Sequence, residues 1–277
     1  MDRQDGLLAM SGHVLIIAGS DSSGGAGIVR DVETVTAFGL KAAIAVTAVT
    51  AQSDRRVTAV KAMEPGLVKA QMQAALESGK IDAVKIGMLA NAGIVAAVAD
   101  ILERHPTPPV VLDPVLASTS GKALLEPDGM RLMIECLLPR ADLLTPNLPE
   151  LALMTGTTDF AVSVQALLQL GIRAALIKGG HANDAAPTRG LARDRCTDLL
   201  IRPNHSPVNF EGTRHRGTLR GTGCMLASAI ACGLATERGL EGSIDAAKRY
   251  VSATFRARLT PSQHTRSPRR HGDAPGP

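Results

Sequence analysis

The chain has 277 residues, 45% hydrophobic and 20% charged, the proportions of a globular protein with a full core. Half of its formal net charge of +4 lies in residues 260–277, where Arg266, Arg269 and Arg270 oppose only Asp273. Nucleic-acid binding would want a basic face with stacking aromatics, and one Tyr, four Phe and no Trp argue against it, so no nucleic-acid partner is expected. No apolar run reaches the ~18 residues of a membrane span, and Met1 to Gly12 lacks the basic and apolar regions of a signal peptide. The four cysteines, Cys136, Cys196, Cys224 and Cys232, show no paired metal-ligand spacing, which fits a reduced, cytoplasmic protein without a membrane partner.

In chain order, His13 to Gly19 reads as a buried β-branched strand, followed by a glycine-rich turn and a helix over Ile28 to Phe38. Ala43 to Thr50 is a strand, Pro65 to Glu77 a helix, Ala83 to Ile86 a short strand, and Asn91 to Arg104 a helix. Pro109 to Asp113 is a strand, Pro127 to Leu138 a helix, and Asp142 to Thr145 a strand. Helices over Pro149 to Met154 and Val162 to Leu170 precede a strand at Ala174 to Lys178. From Asn183 to Arg216 the pattern dissolves into Arg, Pro and Asp, apart from strands near Asp198 to Ile201 and Pro207 to Phe210. Such alternation implies right-handed crossovers, a mostly parallel sheet with helices on both faces, and a ligand beyond the carboxyl ends of the strands. Gly19, Asp113, Thr145 and Lys178 all fall at or just past those ends. Residues 260–277 have the composition of a disordered basic tail.

Two glycine turns stand out. Gly221-Thr222-Gly223-Cys224 opens the small, apolar run Met225-Leu226-Ala227-Ser228-Ala229-Ile230-Ala231, which has the spacing of a buried helix. The unpaired N–H groups of a helix start, with the dipole behind them, suit a phosphate and favour a thiolate at Cys224. Ser20-Asp21-Ser22-Ser23-Gly24-Gly25-Ala26-Gly27 follows the first strand and is neither a Walker A loop nor a dinucleotide fingerprint. The two turns together suggest one small-molecule phosphoryl-transfer site built from both ends of the chain.

Ala18-Gly19-Ser20-Asp21-Ser22-Ser23-Gly24-Gly25-Ala26-Gly27-Ile28, with Asp31 one turn on, resembles the opening of the hydroxymethylpyrimidine/phosphomethylpyrimidine kinases. These are thiamine-biosynthetic members of the ribokinase-like superfamily. Thr47 to Gln52, Lys85-Ile86-Gly87-Met88-Leu89, Val111 to Val115, Leu144 to Glu150, Lys178-Gly179-Gly180-His181 and Gly221 to Cys224 follow in that family's order. The resemblance spans roughly residues 13 to 258. It implies a ribokinase-like three-layer domain over 13–259 behind an extension at 1–12, ATP and Mg2+ as cofactors, a homodimer, and phosphorylation of 4-amino-5-hydroxymethyl-2-methylpyrimidine and its monophosphate. A pyridoxine or pyridoxal kinase and a non-catalytic pyrimidine-binding protein are the alternatives.

The resemblance assigns Gly19, Asp31, Gln52, Met88 and Val115 to the pyrimidine, whose ring nitrogen and amine the Gln52 amide can pair. It sets Thr145, Asn147 and Lys178 at the nucleotide phosphates, and Glu150 and Asp113 at magnesium. On residue type alone, Asn147 and Glu150 read equally as a capping box, and Asp113 before Pro114 as a turn former. Gly221, Thr222, Gly223 and Cys224 form the catalytic turn, in which Cys224 is a base, an anion-hole donor or an inert core thiol. The chain departs from the family pattern at three places. Ser22 replaces a proline, which should loosen the first turn. Ser53-Asp54-Arg55-Arg56 replaces an Asn-Thr segment. Arg220 replaces a histidine and is available as a bidentate phosphate contact.

Overall fold

The computed structural model describes residues 12–105, 108–118, 121–179, 195–213 and 219–259. The expected extension up to residue 11, the tail at 260–277, residues 183–194 and 214–216 of the irregular segment, and Gly180, His181, Gly217 and Thr218 lie outside them.

The strands are β1 (His13–Asp21), β2 (Lys41–Gln52), β3 (Val57–Ala62), β4 (Ala83–Ile86), β5 (Val110–Leu112), β6 (Leu143–Leu144), β7 (Ala175–Ile177), β8 (Arg195–Ile201) and β9 (Val208–Thr213). They form one sheet in the order β3-β2-β1-β4-β5-β6-β7-β8-β9. From β2 to β7 every pairing is parallel, whereas β3, β8 and β9 each run antiparallel to the strand before them in the chain. The helices are α1 (Gly27–Ala37), α2 (Pro65–Glu77), α3 (Ala92–Arg104), α4 (Pro127–Leu132), α5 (Leu148–Thr155), α6 (Phe160–Gln169), α7 (Thr222–Ala235) and α8 (Leu240–Leu259). The expected single helix over Pro127 to Leu138 is α4 continued by a π turn at Met133–Leu137 and a 3-10 turn at Leu138–Arg140. Pro139 accounts for the change at the end, since it cannot donate to the carbonyl four residues back and its ring crowds that carbonyl. β3 was not expected, and it makes β2 the first arm of a hairpin whose turn is Ser53 to Arg56. Among the described residues no single helix is long and apolar enough to cross a membrane.

Strand alternation divides the core. Leu15, Ile17, Val84, Ile86, Val110, Leu112, Leu144 and Ile177 pack into a cluster with residues of α2, α3, α5 and α6. Val14, Ile16, Ala83, Val111, Leu143 and Leu176 pack into the opposite cluster with α1, α7 and α8. Side chains two residues apart on a strand share a face. Lys85, Asp113, Thr145 and Lys178 each stand two residues after a member of the second cluster, so all four project into the α1/α7 layer as their strands end.

The first of these is wholly enclosed. Lys85 and Asp31 have 0% exposure, and their charged ends meet at 2.8 Å. Ser228 of α7 donates to the other Asp31 oxygen at 2.8 Å. One carboxylate thus joins β4, α1 and α7. Burial works against the Lys85 charge, but Asp31, Cys224 and Asp113 outweigh it and hold the ammonium well above its ordinary pKa. Removing one member of such a pair strands the other charge, at a cost of ~3–5 kcal/mol. Lys85→Met is therefore expected to lose that much stability in urea unfolding, and Asp31→Asn/Lys85→Met to recover a large part of it. A Lys85→Met melt matching the wild type would show that the pair does not hold these elements together.

Candidate active site

α3, α5 and α6 begin with side-chain caps from Asn91, Asn147 and Asp159, whereas α1, α2, α4 and α7 have no side-chain hydrogen bond to their first turns, and α7 begins at Gly221. Gly221 has φ +72°, and a Cβ there would stand 2.5 Å from the Gly25 oxygen. Only glycine meets both demands. The two glycine turns expected to share one site are therefore in direct contact.

Opposite α7 is a compact charge cluster. Lys178 Nζ donates to Asp113 Oδ1 at 3.0 Å and lies 3.8 Å from Glu150 Oε2. Thr145 donates to the same Asp113 oxygen at 3.0 Å. A Cβ on Gly223 would be 3.3 Å from Lys178 Nζ and 3.8 Å from Asp113 Oδ2, so the lysine and the aspartate look onto the first turn of α7. Asn147 and Glu150 form a complete capping box, with both hydrogen bonds at 2.8 Å. Burial pushes Asp113 up, but Lys178, Lys85 and the hydrogen bonds from Lys178 and Thr145 hold it below the usual carboxylate range. Glu150 goes the other way. Burial, with a further push from Asp113, raises it to about 7 despite Lys178. Burial opposes the Lys178 charge, but Asp113 and Glu150 keep its pKa raised.

Cys224 differs from expectation. Burial pushes its thiol up to about 11, against the opposing charge of Lys85, and Asp31 and Asp113 add to the rise. Near neutral pH the half-buried Cys224 is therefore a thiol rather than the thiolate its position at the helix start favours.

On the substrate side, a Cβ on Gly19 would touch Met88 Sδ at 2.9 Å, so these two residues are neighbours, while Val115 follows Asp113 and is half-buried. Gln52 ends β2 and lines a cavity of about 200 Å³ with Arg55, Arg56 and Arg220. Asp31 does not reach the cleft surface, since both of its oxygens are taken by Lys85 and Ser228. Ser22 does not loosen the first turn. Its hydroxyl donates to the Gln52 carbonyl at 3.0 Å and accepts from the Gln52 amide at 2.9 Å, which a proline could not do. Arg220 lies with Gln52 rather than with Lys178, and donates to Asp21, Ser23, Asp54 and the Ser53 carbonyl.

A second cavity of about 200 Å³ runs from Lys178, Thr222 and Gly223 to Leu226, Val251 and Gly212. The Asp198–Lys248 ion pair stands in it, with Asp198 also accepting from the Gly179 amide at 2.8 Å. Sequence reading named Lys178, Thr222 and Gly223 but missed Asp198, Lys248 and Val251, because these come from an antiparallel strand and from α8, far in sequence from the two glycine turns. Among the described residues no group of three His, Cys, Asp or Glu side chains could hold a metal. Asp113 and Glu150 bring two carboxylates, too few for an all-protein cage, which fits a magnesium ion that keeps waters and phosphate oxygens as its other ligands.

The family profile described as phosphomethylpyrimidine kinase matches residues 21–268. The chain is 43% identical over 254 residues to a hydroxymethylpyrimidine/phosphomethylpyrimidine kinase of Rhizobium meliloti, covering 90% of this chain and 92% of that one. The corresponding Salmonella typhimurium protein is 37% identical, with 88% and 90% covered. A crystal structure of phosphomethylpyrimidine kinase from Clostridium difficile superposes with a TM-score of 0.73 at 33% identity, covering 88% of this chain and 99% of that one. A Staphylococcus aureus pyridoxal kinase in complex with pyridoxal gives 0.76 at 26% identity, with 88% of each chain covered. The fold is accordingly ribokinase-like, and the chain belongs to the phosphomethylpyrimidine kinase family.

Proposed function

We propose that this protein transfers the γ-phosphoryl group of ATP to 4-amino-5-hydroxymethyl-2-methylpyrimidine and then to its monophosphate, supplying the pyrimidine diphosphate used in thiamine biosynthesis. The observation that carries the reading is Lys178, held by Asp113 and Glu150 against the uncapped first turn of α7, which the β1–α1 turn closes from the other side. Sequence relatives named as pyrimidine kinases over nine-tenths of the chain favour this over pyridoxal phosphorylation and over binding without turnover. ATP use is supported by a pyridoxal kinase neighbour in complex with ADP.

Phosphoryl transfer through a loose transition state asks the protein chiefly for positioning and charge. The backbone N–H groups of Gly221, Thr222 and Gly223 face the transferred group, with Lys178 beside them and the cavity toward Leu226 and Val251 open to the nucleotide base. Thr145 and Asn147 stand next to this array through Asp113 and the capping box. Asp113 and Glu150 would hold magnesium, which when bound offsets phosphate charge. Gln52 pairs the aminopyrimidine, with Gly19, Met88 and Val115 around the ring. Cys224, kept as a thiol, is an anion-hole donor rather than a base. The monophosphate already presents an anionic acceptor oxygen and needs no base, and in the first step the hydroxyl proton passes to an oxygen of the transferred phosphoryl group as the O–P bond forms and the bond to ADP breaks, so a thiol donor serves both steps.

Gln52→Ala is expected to weaken pyrimidine binding by ~1–3 kcal/mol, the scale of an unpaired polar group, with nucleotide affinity unchanged. Calorimetry showing equal pyrimidine affinity would remove Gln52 from the site. For Cys224, the donor role predicts a turnover loss on the order of 100-fold in Cys224→Ala, a smaller loss in Cys224→Ser, and no thiol-dependent limb in the rate between about pH 6 and 9. A limb in that range, lost in the serine variant, would assign the base instead.

Glu150 carries the sharpest pH signature. A carboxyl raised from 4.5 to about 7 keeps its proton in the folded state after the unfolded chain has lost it. Stability therefore falls as pH climbs through that window, and Glu150→Gln should flatten the fall. Magnesium must displace the same proton. Near pH 6.5, calorimetry in buffers of different ionisation heat should show proton release on magnesium-nucleotide binding in the wild type and none from this residue in Glu150→Gln. Equal release in both would take Glu150 out of the metal site.

A further inference from the structure

Arg220 is the least expected residue of the site. Its side chain is 15% exposed and reaches three separate segments. Nη2 donates to Asp21 Oδ2 at 2.8 Å, at the end of β1. Nη1 donates to Ser23 Oγ at 2.8 Å in the glycine turn, and to Asp54 Oδ1 at 3.1 Å and the Ser53 carbonyl at 3.2 Å in the β2–β3 turn. Ser22 holds the same β2–β3 turn from below through both backbone groups of Gln52. The turn is thus gripped at Gln52, Ser53 and Asp54, directly over the cavity that Gln52 lines.

The two carboxylates on Arg220 differ in kind. Asp21 is buried, 5% exposed at its side chain, and anchors the guanidinium. Asp54 is 87% exposed, so its ion pair adds little to global stability. An exposed pair that contributes little to folding can still set where a turn sits. Within the turn the Ser53 N–H donates to the Arg56 carbonyl at 3.0 Å, and the Arg55 and Arg56 N–H groups donate to Ser53 Oγ at 3.3 and 3.4 Å, which shapes the turn; Arg220 is what ties that shape to the end of β1 and the start of α7.

We propose that Arg220 and Asp54, with Ser22, are positioning residues that clamp the β2–β3 turn over the pyrimidine and fix the Gln52 amide. This rests on the pyrimidine kinase reading and gives Arg220 a substrate-side role in place of a phosphate contact. The clamp couples the pyrimidine side to the start of α7 without touching the transferred group.

Charge reversal at the exposed partner tests it with little risk to the fold. Asp54→Arg is expected to raise the KM for the pyrimidine about tenfold or more and Asp54→Asn up to about fivefold, the latter matching loss of one exposed ion pair. Turnover number, KM for ATP and melting temperature should stay at wild-type values, a split that a merely structural role would not give. Arg55 and Arg56 make the turn its own reporter: limited trypsin treatment should cut there faster in Asp54→Asn than in the wild type. Wild-type turnover with an unchanged pyrimidine KM in Asp54→Arg, or equal cleavage rates, would overturn the clamp while leaving the kinase reading intact. A wild-type protein that neither binds nor phosphorylates the pyrimidine would overturn that reading, and the clamp with it.

Discussion

An ammonium group with no access to water sits at the centre of this molecule, and the site depends on what compensates it. Lys85 leaves the sheet on β4, meets Asp31 from α1, and through Asp31 reaches Ser228 on α7. Hydrophobic clustering alone would let α1 and α7 slide on the sheet, because apolar contacts are non-directional. A buried charge with one partner of fixed geometry is directional, and an unpaired alternative is costly. The pair therefore locks in register the two helices whose first turns carry the glycines. Gly87 belongs to the same device, since a Cβ there would stand 2.8 Å from Lys85 Nζ.

The second consequence of strand alternation is functional. Because Lys85, Asp113, Thr145 and Lys178 follow apolar residues of one face at a spacing of two, four neighbouring strands deliver ionisable or hydroxyl groups to the same layer without any loop having to arrange them. The short strands β5, β6 and β7 are sufficient, since each needs only enough length to fix which way its last residue points. Loops then supply what strands cannot: backbone N–H groups at Gly221 to Gly223, and the Gln52 amide at the end of a hairpin arm.

Much of this was legible in the sequence for that physical reason. A β-branched run ending in Asp, Thr or Lys at the carboxyl end of a strand marks both the element and the direction of the site. Asn147 and Glu150 illustrate a pair whose two readings coincide, because the capping box that forms also leaves the carboxyl group facing Lys178. What was not legible depends on contacts between distant segments. No local pattern shows that Asp31 is enclosed by Lys85, that Ser22 grips Gln52, or that Arg220 turns toward Asp54. The strand β3 was passed over because its exposed edge lacks the dense apolar run of the central strands. The raised pKa of the Cys224 thiol is likewise not local, since it comes first from burial by the packed layers and then from Asp31 and Asp113, which other elements supply.

The charges of the site then explain how a buried cluster can accept so anionic a ligand. Lys85 is balanced by Asp31, and Lys178 by Asp113, so this buried cluster carries no surplus cation that would destabilise the core. Glu150, with its pKa near 7, is the adjustable member. Protonated, it leaves the cluster neutral; ionised, it adds the charge that a divalent cation needs. Binding of a metal-nucleotide complex can thus supply its own counter-charge and set the protonation state of the site in one step. In the proposed reading, where Asp113 and Glu150 hold the metal, phosphates alone would meet two carboxylates unshielded, and a metal ion alone would find only those two carboxylates, one of them holding a proton.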